Sequence, residues 1–345
     1  MEKRETLLSV KNLKMHFVYD KTLLGKPVSV VKAVDGVSFD IRDGETFGLV
    51  GESGCGKTTV GKCVLRLYSP TDGEIIYKGK HLEKAGATEL KPVRREIQMV
   101  FQDPYGSLDP RQSVFSILKE AIIRDRKHHS GKEIASRVKE LLETVGLNAD
   151  FASRYPHELS GGQRQRVGIA RALACNPKLI VCDEPVSALD VSIQAEIINL
   201  FEEMQDKLNL TYLFVAHDLA VVQHVADRIG IMYLGHLVEV IDASVLEKET
   251  LHPYTIALLS AIPSPDYEAE QKREQILLEG EVPSPLNAPT GCPFNPRCRF
   301  ATERCRTEMP ALKEIAANHQ IACHRADEFA GTAREILTQN GIAGD

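Results

Sequence analysis

Tryptophan is absent from the sequence and only 6% of the 345 residues are aromatic, but neither fact excludes a function. A more informative absence is that of any run of about 18 uninterrupted apolar residues, the length that a membrane-crossing helix requires. The first six residues are mostly charged and lead into an alternating apolar pattern, which is unlike a signal peptide. We therefore expect a cytoplasmic chain without membrane-spanning segments.

A surplus of positive charge is also missing. The chain has 48 acidic and 42 basic residues, which gives a formal net charge of -6 at pH 7. Because proteins that bind nucleic acid present basic surfaces to its phosphates, this balance does not point to a nucleic-acid partner. Apolar residues make up 43% of the chain, which is enough to form hydrophobic cores. The length of the chain predicts roughly two domains.

The strongest local signal is a predicted phosphate-binding loop at residues 51–58, Gly-Glu-Ser-Gly-Cys-Gly-Lys-Thr. A buried strand is predicted just before it, and apolar residues at helical spacing follow it. Glycines let the backbone turn tightly, so that successive N–H groups face phosphate oxygens. Lys57 would reach the β- and γ-phosphates, and Thr58 would offer its hydroxyl to Mg²⁺. The nucleotide contacts predicted in this loop are Gly51, Ser53, Gly54, Cys55, Gly56, Lys57, Thr58 and Thr59.

Two adjacent carboxylates end another predicted strand, Leu179-Ile-Val-Cys-Asp-Glu184. An uncompensated charge at the end of a buried strand is costly, so we expect these two acids to have a functional role. The alternative is that they are solvated acids at a strand end. In a chain that also has a phosphate loop, we expect Asp183 to hold Mg²⁺ through water. Glu184 would then polarise the attacking water as a general base.

A third motif, Leu159-Ser-Gly-Gly-Gln163, lies between the other two. Ser160 and the amides of Gly161 and Gly162 begin a predicted helix whose N-terminus favours an anion. Taken alone, Ser-Gly-Gly is also an ordinary helix start. In this order, however, the three motifs resemble those of ATP-binding-cassette (ABC) ATPases, and the resemblance sets the chain apart from kinases, GTPases and helicases.

The resemblance implies that each ATP site is completed by a second ATPase subunit. The phosphate loop of one chain would hold the nucleotide, and the third motif of the other chain would contact its γ-phosphate. The residues that the resemblance places in this second half-site are Ser160, Gly161, Gly162 and Gln163.

Three further roles are implied by the resemblance. Gln102 would contact Mg²⁺ and the attacking water, and His217, which follows a predicted strand at residues 211–216, would contact the γ-phosphate. Phe17 would stack on adenine. Structural alternatives stay open for the last two, since a histidine at a strand end is often structural and a phenylalanine fits a strand core equally well.

The hydrophobic pattern predicts an α/β fold. Strand, helix and strand alternate from residue 177 onward, which is typical of a parallel sheet, whereas short β-rich stretches between Gly/Asp turns before residue 100 predict an antiparallel layer. The resemblance implies a P-loop NTPase core with this antiparallel β subdomain, an inserted α-helical subdomain at 103–160 and a C-terminal Cys-rich extension. The predicted domains are a nucleotide-binding domain at 5–245 and the extension at 246–345.

The C-terminal part of the chain indicates which group of ABC ATPases it resembles. Proline-rich stretches such as His252-Pro-Tyr-Thr255 and Glu279-Gly-Glu-Val-Pro-Ser-Pro285 would otherwise be ordinary linkers. Here they resemble the tails of ATPases from oligopeptide, dipeptide and nickel importers.

Four of the eight cysteines lie at 292–323 in a C-x5-C-x6-C-x17-C arrangement, Cys292, Cys298, Cys305 and Cys323. A reducing compartment argues against disulfides, and four thiolates can hold zinc or a 4Fe-4S cluster. The resemblance implies an iron-sulfur cluster. Zinc, with His324 as a further ligand, and unliganded cysteines stay open as alternatives. The other four cysteines, Cys55, Cys63, Cys175 and Cys182, are expected to be buried and inert.

The sequence therefore predicts the ATP-hydrolysing subunit of a di- or oligopeptide importer, resembling the second of the two ATPases that such systems often carry. It would lie peripherally on the cytoplasmic side of the cell membrane. Its expected partners are two permease subunits, a sister ATPase or a second copy of the chain, and, indirectly, an extracytoplasmic solute-binding protein. The alternatives are an importer of nickel or another small solute, an ABC ATPase outside transport, and a redox-sensing subunit in which the cysteines dominate.

Overall fold

The computed structural model describes residues 4–21, 27–125, 130–263 and 276–329. Parts of the predicted extension, residues 264–275 and 330–345, lie outside these ranges. The strands are β1 (Thr6–Lys21), β2 (Pro27–Arg42), β3 (Thr46–Val50), β4 (Asp72–Tyr77), β5 (Lys80–His81), β6 (Ile97–Val100), β7 (Leu179–Asp183), β8 (Thr211–Ala216), β9 (Arg228–Tyr233), β10 (His236–Asp242), β11 (Lys313–Ala316) and β12 (His319–Ile321).

Helices of very different lengths connect these strands. They are α1 (Lys57–Val64), α2 (Ala87–Glu96), α3 (Val114–Asp125), α4 (Gly131–Thr144), α5 (Gly161–Leu173), α6 (Val191–Leu208), α7 (Leu219–Val225), α8 (Leu246–Glu249), α9 (Pro253–Ser260) and α10 (Glu303–Thr307), with 3-10 turns at Ala149–Ser153, Pro156–Glu158, Ala243–Val245 and Pro285–Asn287. Over the described ranges, no helix combines the length and the apolar character that crossing a membrane requires.

The chain divides into two compact units, and both are assembled from separate stretches of sequence. The first consists of Met1–Leu7, Ile41–Thr46 and Tyr77–Val215, and the second of Leu8–Asp40, Phe47–Ile76 and Ala216–Asp345. The domain limits predicted at 5–245 and 246–345 stay predictions.

The first unit is built on three parallel strands. β7 lies between β6 and β8, with Val181 opposite both Met99 and Leu213. Every residue of β7 and β8 is buried, as expected for a parallel sheet covered on both faces. The strand-helix-strand pattern predicted from residue 177 onward is thus confirmed.

Helices α3 and α4 lie within residues 103–160, the stretch for which a helical subdomain was predicted. Helix α4 begins at a capping box, because the Ser130 side chain accepts a hydrogen bond from Glu133 N while the Glu133 side chain accepts one from Ser130 N. It ends just before Gly146, whose φ of +71° is the left-handed conformation that terminates many helices. Ile134, Val138 and Leu141 form its buried face.

The second unit contains most of β1, β2 and β4, which neighbour one another in the order β2-β1-β4. It also holds a mixed array in the order β11-β12-β10-β9-β3. There β3 pairs parallel with β9, whereas the β9-β10, β10-β12 and β11-β12 pairs are antiparallel. The C-terminal hairpin of β11 and β12 therefore extends an array that includes β3, the strand before the predicted phosphate loop.

One fully buried carboxylate, Glu239 on β10, organises this end of the second unit. Its oxygens accept hydrogen bonds from Thr250 Oγ1 at 2.8 Å, Leu251 N at 2.9 Å and His252 N at 3.3 Å, and His319 Nε2 lies 2.9 Å away. Burial alone would raise the pKa of Glu239, but hydrogen bonds from these neighbours hold it below its ordinary value. A buried charge satisfied in this way is compatible with a stable core.

We predict that acid destabilises the second unit through His252, whose pKa is lowered by burial to about 4. The unfolded chain takes up this proton near pH 6.5, so the folded state is favoured above that pH and loses the advantage as pH falls toward 4. Between pH 7 and pH 5 the loss amounts to about 2 kcal/mol of unfolding free energy.

The measurement is urea denaturation of the wild type and of His252→Asn at both pH values. Asparagine does not titrate and is a good N-cap, so it can replace the bond that His252 Nδ1 accepts from Tyr254 N at the start of α9. The variant should lose less stability at pH 5. Equal losses in the two proteins would contradict the assignment.

Candidate functional site

The predicted phosphate loop connects β3 to α1, as the sequence indicated. All five residues of β3 are buried. The loop begins directly after this strand, at Gly51. Helix α1 begins at Lys57, and its N-cap, Gly56, has a φ of +108° and no side chain that could cap the helix. The N-terminus of a helix without a side-chain cap favours an anion.

Two glycines of the loop lie against the backbone of neighbouring strands. A β-carbon on Gly51 would lie 2.2 Å from the carbonyl oxygen of Met232 in β9, and one on Gly56 would lie 2.1 Å from that of Ala33 in β2. No larger residue fits at either position without movement of the backbone. The loop motif in the sequence identified both glycines. No sequence pattern indicated that Met232 and Ala33 would lie against them.

Lys57 is only 3% exposed, and its ammonium group is enclosed by its own loop. Nζ donates to the carbonyl oxygens of Gly51 at 2.7 Å and Glu52 at 3.0 Å, and it lies 3.7 Å from Cys55 Sγ. Burial raises the pKa of the Cys55 thiol, so this thiol stays protonated beside the lysine. The loop thus holds a buried cation next to a helix N-terminus, which is an arrangement suited to phosphate.

Asp183 and Glu184 lie at the end of β7, in the first unit. Asp183 is 5% exposed, and Glu184 has a φ of +46°, a strained conformation for a residue with a side chain. The backbone of Glu184 is held by Val215 O, which accepts from its N–H at 2.8 Å. Gln102 lies at this point, since its Nε2 donates to Glu184 Oε2 at 2.9 Å. Its contacts with Mg²⁺ and water stay predictions.

The third motif forms the N-terminus of α5. Ser160 Oγ accepts from Gln163 N at 3.3 Å, and Gln163 Oε1 accepts from Ser160 N at 3.0 Å, so the two residues form a capping box. Gly162 is buried against α6, where a β-carbon would lie 2.6 Å from Ile193 Cγ2. Ser160 itself is exposed, which leaves its hydroxyl accessible to another molecule.

Two of the weaker sequence predictions concern single residues of the second unit. His217 is exposed and directly follows β8, and its neighbour Asp218 caps α7 by accepting from Ala220 N at 2.9 Å. Phe17 is half-buried on β1, and its ring meets that of Tyr68 edge-on at 5.5 Å. The roles of His217 at the γ-phosphate and of Phe17 at adenine stay predictions.

The predicted nucleotide residues are thus divided between the two units. Gln102, the third motif, Asp183 and Glu184 belong to the first unit, and the phosphate loop, Phe17 and His217 belong to the second.

The four C-terminal cysteines converge on one cavity of about 20 Å³ in the second unit, which His252 and His324 also line. All four thiols are free. Burial raises the pKa of Cys292 to about 12 and that of Cys323 to about 11, so both are protonated at neutral pH. Nowhere in the described parts of the chain are three or more His, Cys, Asp or Glu side chains placed to hold a metal ion, and the predicted iron-sulfur or zinc site is not confirmed.

Cys55, Cys63, Cys175 and Cys182 are buried and none forms a disulfide, as expected of small core residues. Burial raises the pKa of Cys63 to about 12 and that of Cys182 well above its ordinary value. Such thiols are poor nucleophiles because so little thiolate is present.

Comparison with protein families gives two matches along the chain. Residues 34–187 match the family described as ABC transporter. Residues 238–305 match the family described as the C-terminal region of oligopeptide/dipeptide transporters. The first match contains the phosphate loop, the third motif and the carboxylate pair, and the second contains three of the four C-terminal cysteines.

Curated relatives are similar over nearly their full length. The oligopeptide transport ATP-binding protein AppF of Bacillus subtilis is 52% identical over 322 residues, which cover 93% of this chain and 98% of AppF. The oligopeptide transport ATP-binding protein OppF of Salmonella typhimurium is 46% identical, covering 95% of this chain and 98% of OppF. The dipeptide transport ATP-binding protein DppF of Haemophilus influenzae is 48% identical, covering 93% and 97%.

Solved structures of ABC cassettes share about two thirds of the chain's fold. The ATP-binding cassette MJ0796, in a dimeric post-hydrolysis state bound to ADP and Pi, is 30% identical, with a TM-score of 0.61 over 68% of this chain and 98% of that one. The cassette cbiO1 from Clostridium perfringens, part of the transporter complex cbiONQ, is 27% identical with a TM-score of 0.60, covering 70% and 90%. The α/β fold predicted for the chain is therefore that of an ABC ATPase.

We predict that Gly56→Ala destabilises the protein more than Gly54→Ala does. Both glycines have a positive φ, +108° and +79°, which costs an alanine about 1 kcal/mol at either position. A β-carbon at Gly54 meets nothing within 4 Å, whereas one at Gly56 clashes with Ala33 O and adds roughly 1–3 kcal/mol. Urea unfolding without nucleotide measures the difference, and equal destabilisation would show that the close backbone approach at Gly56 is wrong.

Proposed function

The chain belongs to the ABC transporter ATPases, in the branch with the oligopeptide/dipeptide transporter C-terminal region, and on this premise we propose that it hydrolyses ATP to drive import of di- or oligopeptides. The observation that carries the proposal is a sequence identity of 46–52%, over 93–98% of each chain, to proteins named for oligopeptide transport. The C-terminal match supports the same branch, since it lies outside the part of the chain that matches the general ABC transporter family.

We propose that the phosphate loop binds the phosphates of ATP. The N–H groups at the start of α1 and the enclosed Lys57 ammonium supply the positive charge. On binding, Lys57 would exchange the carbonyl oxygens of Gly51 and Glu52 for phosphate oxygens, an exchange of partners that leaves the buried charge satisfied throughout. Ser53, within the loop, and Thr59, just after it, would add hydroxyl contacts.

Hydrolysis would depend on Glu184 as the general base. Its carboxylate already accepts a hydrogen bond from Gln102, which orients the acceptor oxygens. Thr58, Gln102 and Asp183 are oxygen donors of the kind that Mg²⁺ prefers, with waters completing its coordination, and the metal would neutralise phosphate charge. His217 would contact the γ-phosphate, and Phe17 would stack on adenine.

The exposed N-terminus of α5 would complete the site of a second ATPase subunit, with Ser160, Gly161, Gly162 and Gln163 facing its γ-phosphate. A dimeric relative bound to ADP and Pi supports this arrangement. The dimer partner would be a sister ATPase or a second copy of the chain. Two permease subunits and, indirectly, a solute-binding protein would make up the importer, with this chain peripheral on the cytoplasmic side of the membrane.

Within the ABC fold, we propose that residues 103–160, with α3 and α4, form the helical subdomain that faces the permeases. Residues 246–345 would be the extension. The names of the relatives do not favour nickel import or a role outside transport.

We further propose that the four C-terminal cysteines hold an iron-sulfur cluster, with zinc as the alternative. Their convergence on one cavity supports this. In the described residues the present arrangement does not itself fit a metal, so the side chains would have to rearrange and lose their protons on binding. Anaerobic purification with an absorption spectrum and metal analysis tests it. A colourless protein with stoichiometric zinc would favour the alternative, and one without iron or zinc would leave the cysteines unliganded.

The central test of the proposed function is Glu184→Gln. Glutamine keeps an oxygen that can accept from Gln102 Nε2 but cannot take a proton from water, so ATP should still bind while hydrolysis falls at least about 100-fold. Steady-state ATPase rates and nucleotide binding are measured on the same preparation. The matched control is Glu203→Gln, which removes an exposed carboxylate paired with Lys207 on α6. Near-normal turnover of Glu184→Gln would exclude Glu184 as the base.

A further inference from the structure

One residue of the phosphate loop, Glu52, is held by three different neighbours. Its N–H donates to the hydroxyl of Tyr254 at 3.0 Å, and its carbonyl accepts from Lys57 Nζ at 3.0 Å. Its two carboxylate oxygens lie 3.0 and 2.8 Å from Nη1 of Arg297. Tyr254 and Arg297 come from the C-terminal part of the chain, so that part contacts the loop directly.

Arg297 stands between two of the C-terminal cysteines, Cys292 and Cys298, in the sequence Cys-Pro-Phe-Asn-Pro-Arg-Cys. Its side chain is 8% exposed and that of Glu52 is 26% exposed, so water screens this ion pair less than a surface pair. Arg297 also donates to the hydroxyl of Tyr233 at 3.4 Å. A partly buried, charge-assisted contact of this kind is among the stronger single interactions in a protein.

Aromatic side chains also connect the segment between Cys292 and Cys298 to the residues around Glu52. Phe294, which is 1% exposed, lies with its ring centroid 5.3 Å from that of Tyr233 and 5.4 Å from that of Tyr254. The two tyrosines lie 4.8 Å apart. Tyr254, which accepts from Glu52 N–H, thus packs against Phe294 in the segment that supplies Arg297, so the two contacts with Glu52 come from neighbouring residues.

We propose that Arg297 is a positioning residue for ATP binding. By holding the Glu52 carboxylate, Arg297 fixes the backbone at the start of the glycine-rich loop, whose N–H groups would receive the phosphates. Before nucleotide binds, the Glu52 carbonyl also holds the Lys57 ammonium beside that backbone. The cysteine-bearing segment and the nucleotide site are thereby coupled. Coupling of binding free energies is reciprocal, so nucleotide should also order the segment around Arg297. The inference rests on the proposed function, because it assumes that the loop binds ATP.

A purely architectural ion pair would behave differently. Its loss would lower the stability of the fold but leave the nucleotide affinity of the folded protein unchanged. The readout must therefore be affinity, measured separately from stability.

The first experiment measures dissociation constants for a fluorescent ATP analogue on the full-length chain. Arg297→Gln and Glu52→Gln should each weaken binding about tenfold, and the double variant should bind no more weakly than the weaker single one, because both changes remove one contact. Arg297→Lys should recover part of the affinity. The control, Arg299→Gln, removes the same charge from an exposed neighbour and should stay within about twofold of the wild type.

The second experiment needs no variant, so it remains decisive if Arg297→Gln does not fold. Amide hydrogen exchange across residues 291–305 of the wild type should slow when the ATP analogue binds. Unchanged exchange, or a folded Arg297→Gln that binds as tightly as the wild type, would overturn the positioning role and leave the proposed function standing. A wild type that binds no nucleotide would overturn both.

Discussion

The phosphate loop lies so close to the backbone of two strands that Gly51 and Gly56 have no room for a β-carbon. This close approach restricts the path of the loop between β3 and α1, because the carbonyl of Met232 lies against Gly51 and that of Ala33 lies against Gly56. The carbonyl of Cys55 accepts from Gly235 N at 2.8 Å, which adds a direct backbone contact. The position of Lys57, and the direction in which the first turn of α1 presents its N–H groups, both follow from this packing.

The carboxylate pair obeys a different constraint, which is the cost of placing charge beside buried strands. Asp183 stands at the last residue of a fully buried strand, and Glu184 leaves that strand in a strained, left-handed conformation. Strain of this kind persists only where the surroundings impose it. Here the hydrogen bonds from Glu184 N–H to Val215 O and from Gln102 Nε2 to the Glu184 carboxylate impose this conformation. They hold the carboxylate at the end of β7.

The C-terminal segment, which carries the cysteines, also contacts the phosphate loop at Glu52. Arg297 reaches Glu52 across 245 positions of sequence, and the array that contains β3 continues through β9 and β10 to the hairpin of β11 and β12. Buried Glu239, bonded to β12 through His319, holds that hairpin in place. The four free thiols therefore lie in a segment whose position depends on the same strands as the phosphate loop does.

Much of this molecule was determined by the sequence alone. The phosphate loop, α3, α4, α6, the buried strand at residues 179–183 and the capping serine of α5 follow from glycine turns, apolar spacing and cap chemistry, which act over a few residues. The family followed from the order of three motifs. Only the tertiary structure decided that Gln102 bonds Glu184, that Arg297 and Tyr254 hold Glu52, and that four cysteines meet at a small cavity without forming a metal arrangement. These contacts join residues tens to hundreds of positions apart. Their geometry depends on how whole strands and helices pack, which a local sequence pattern does not predict.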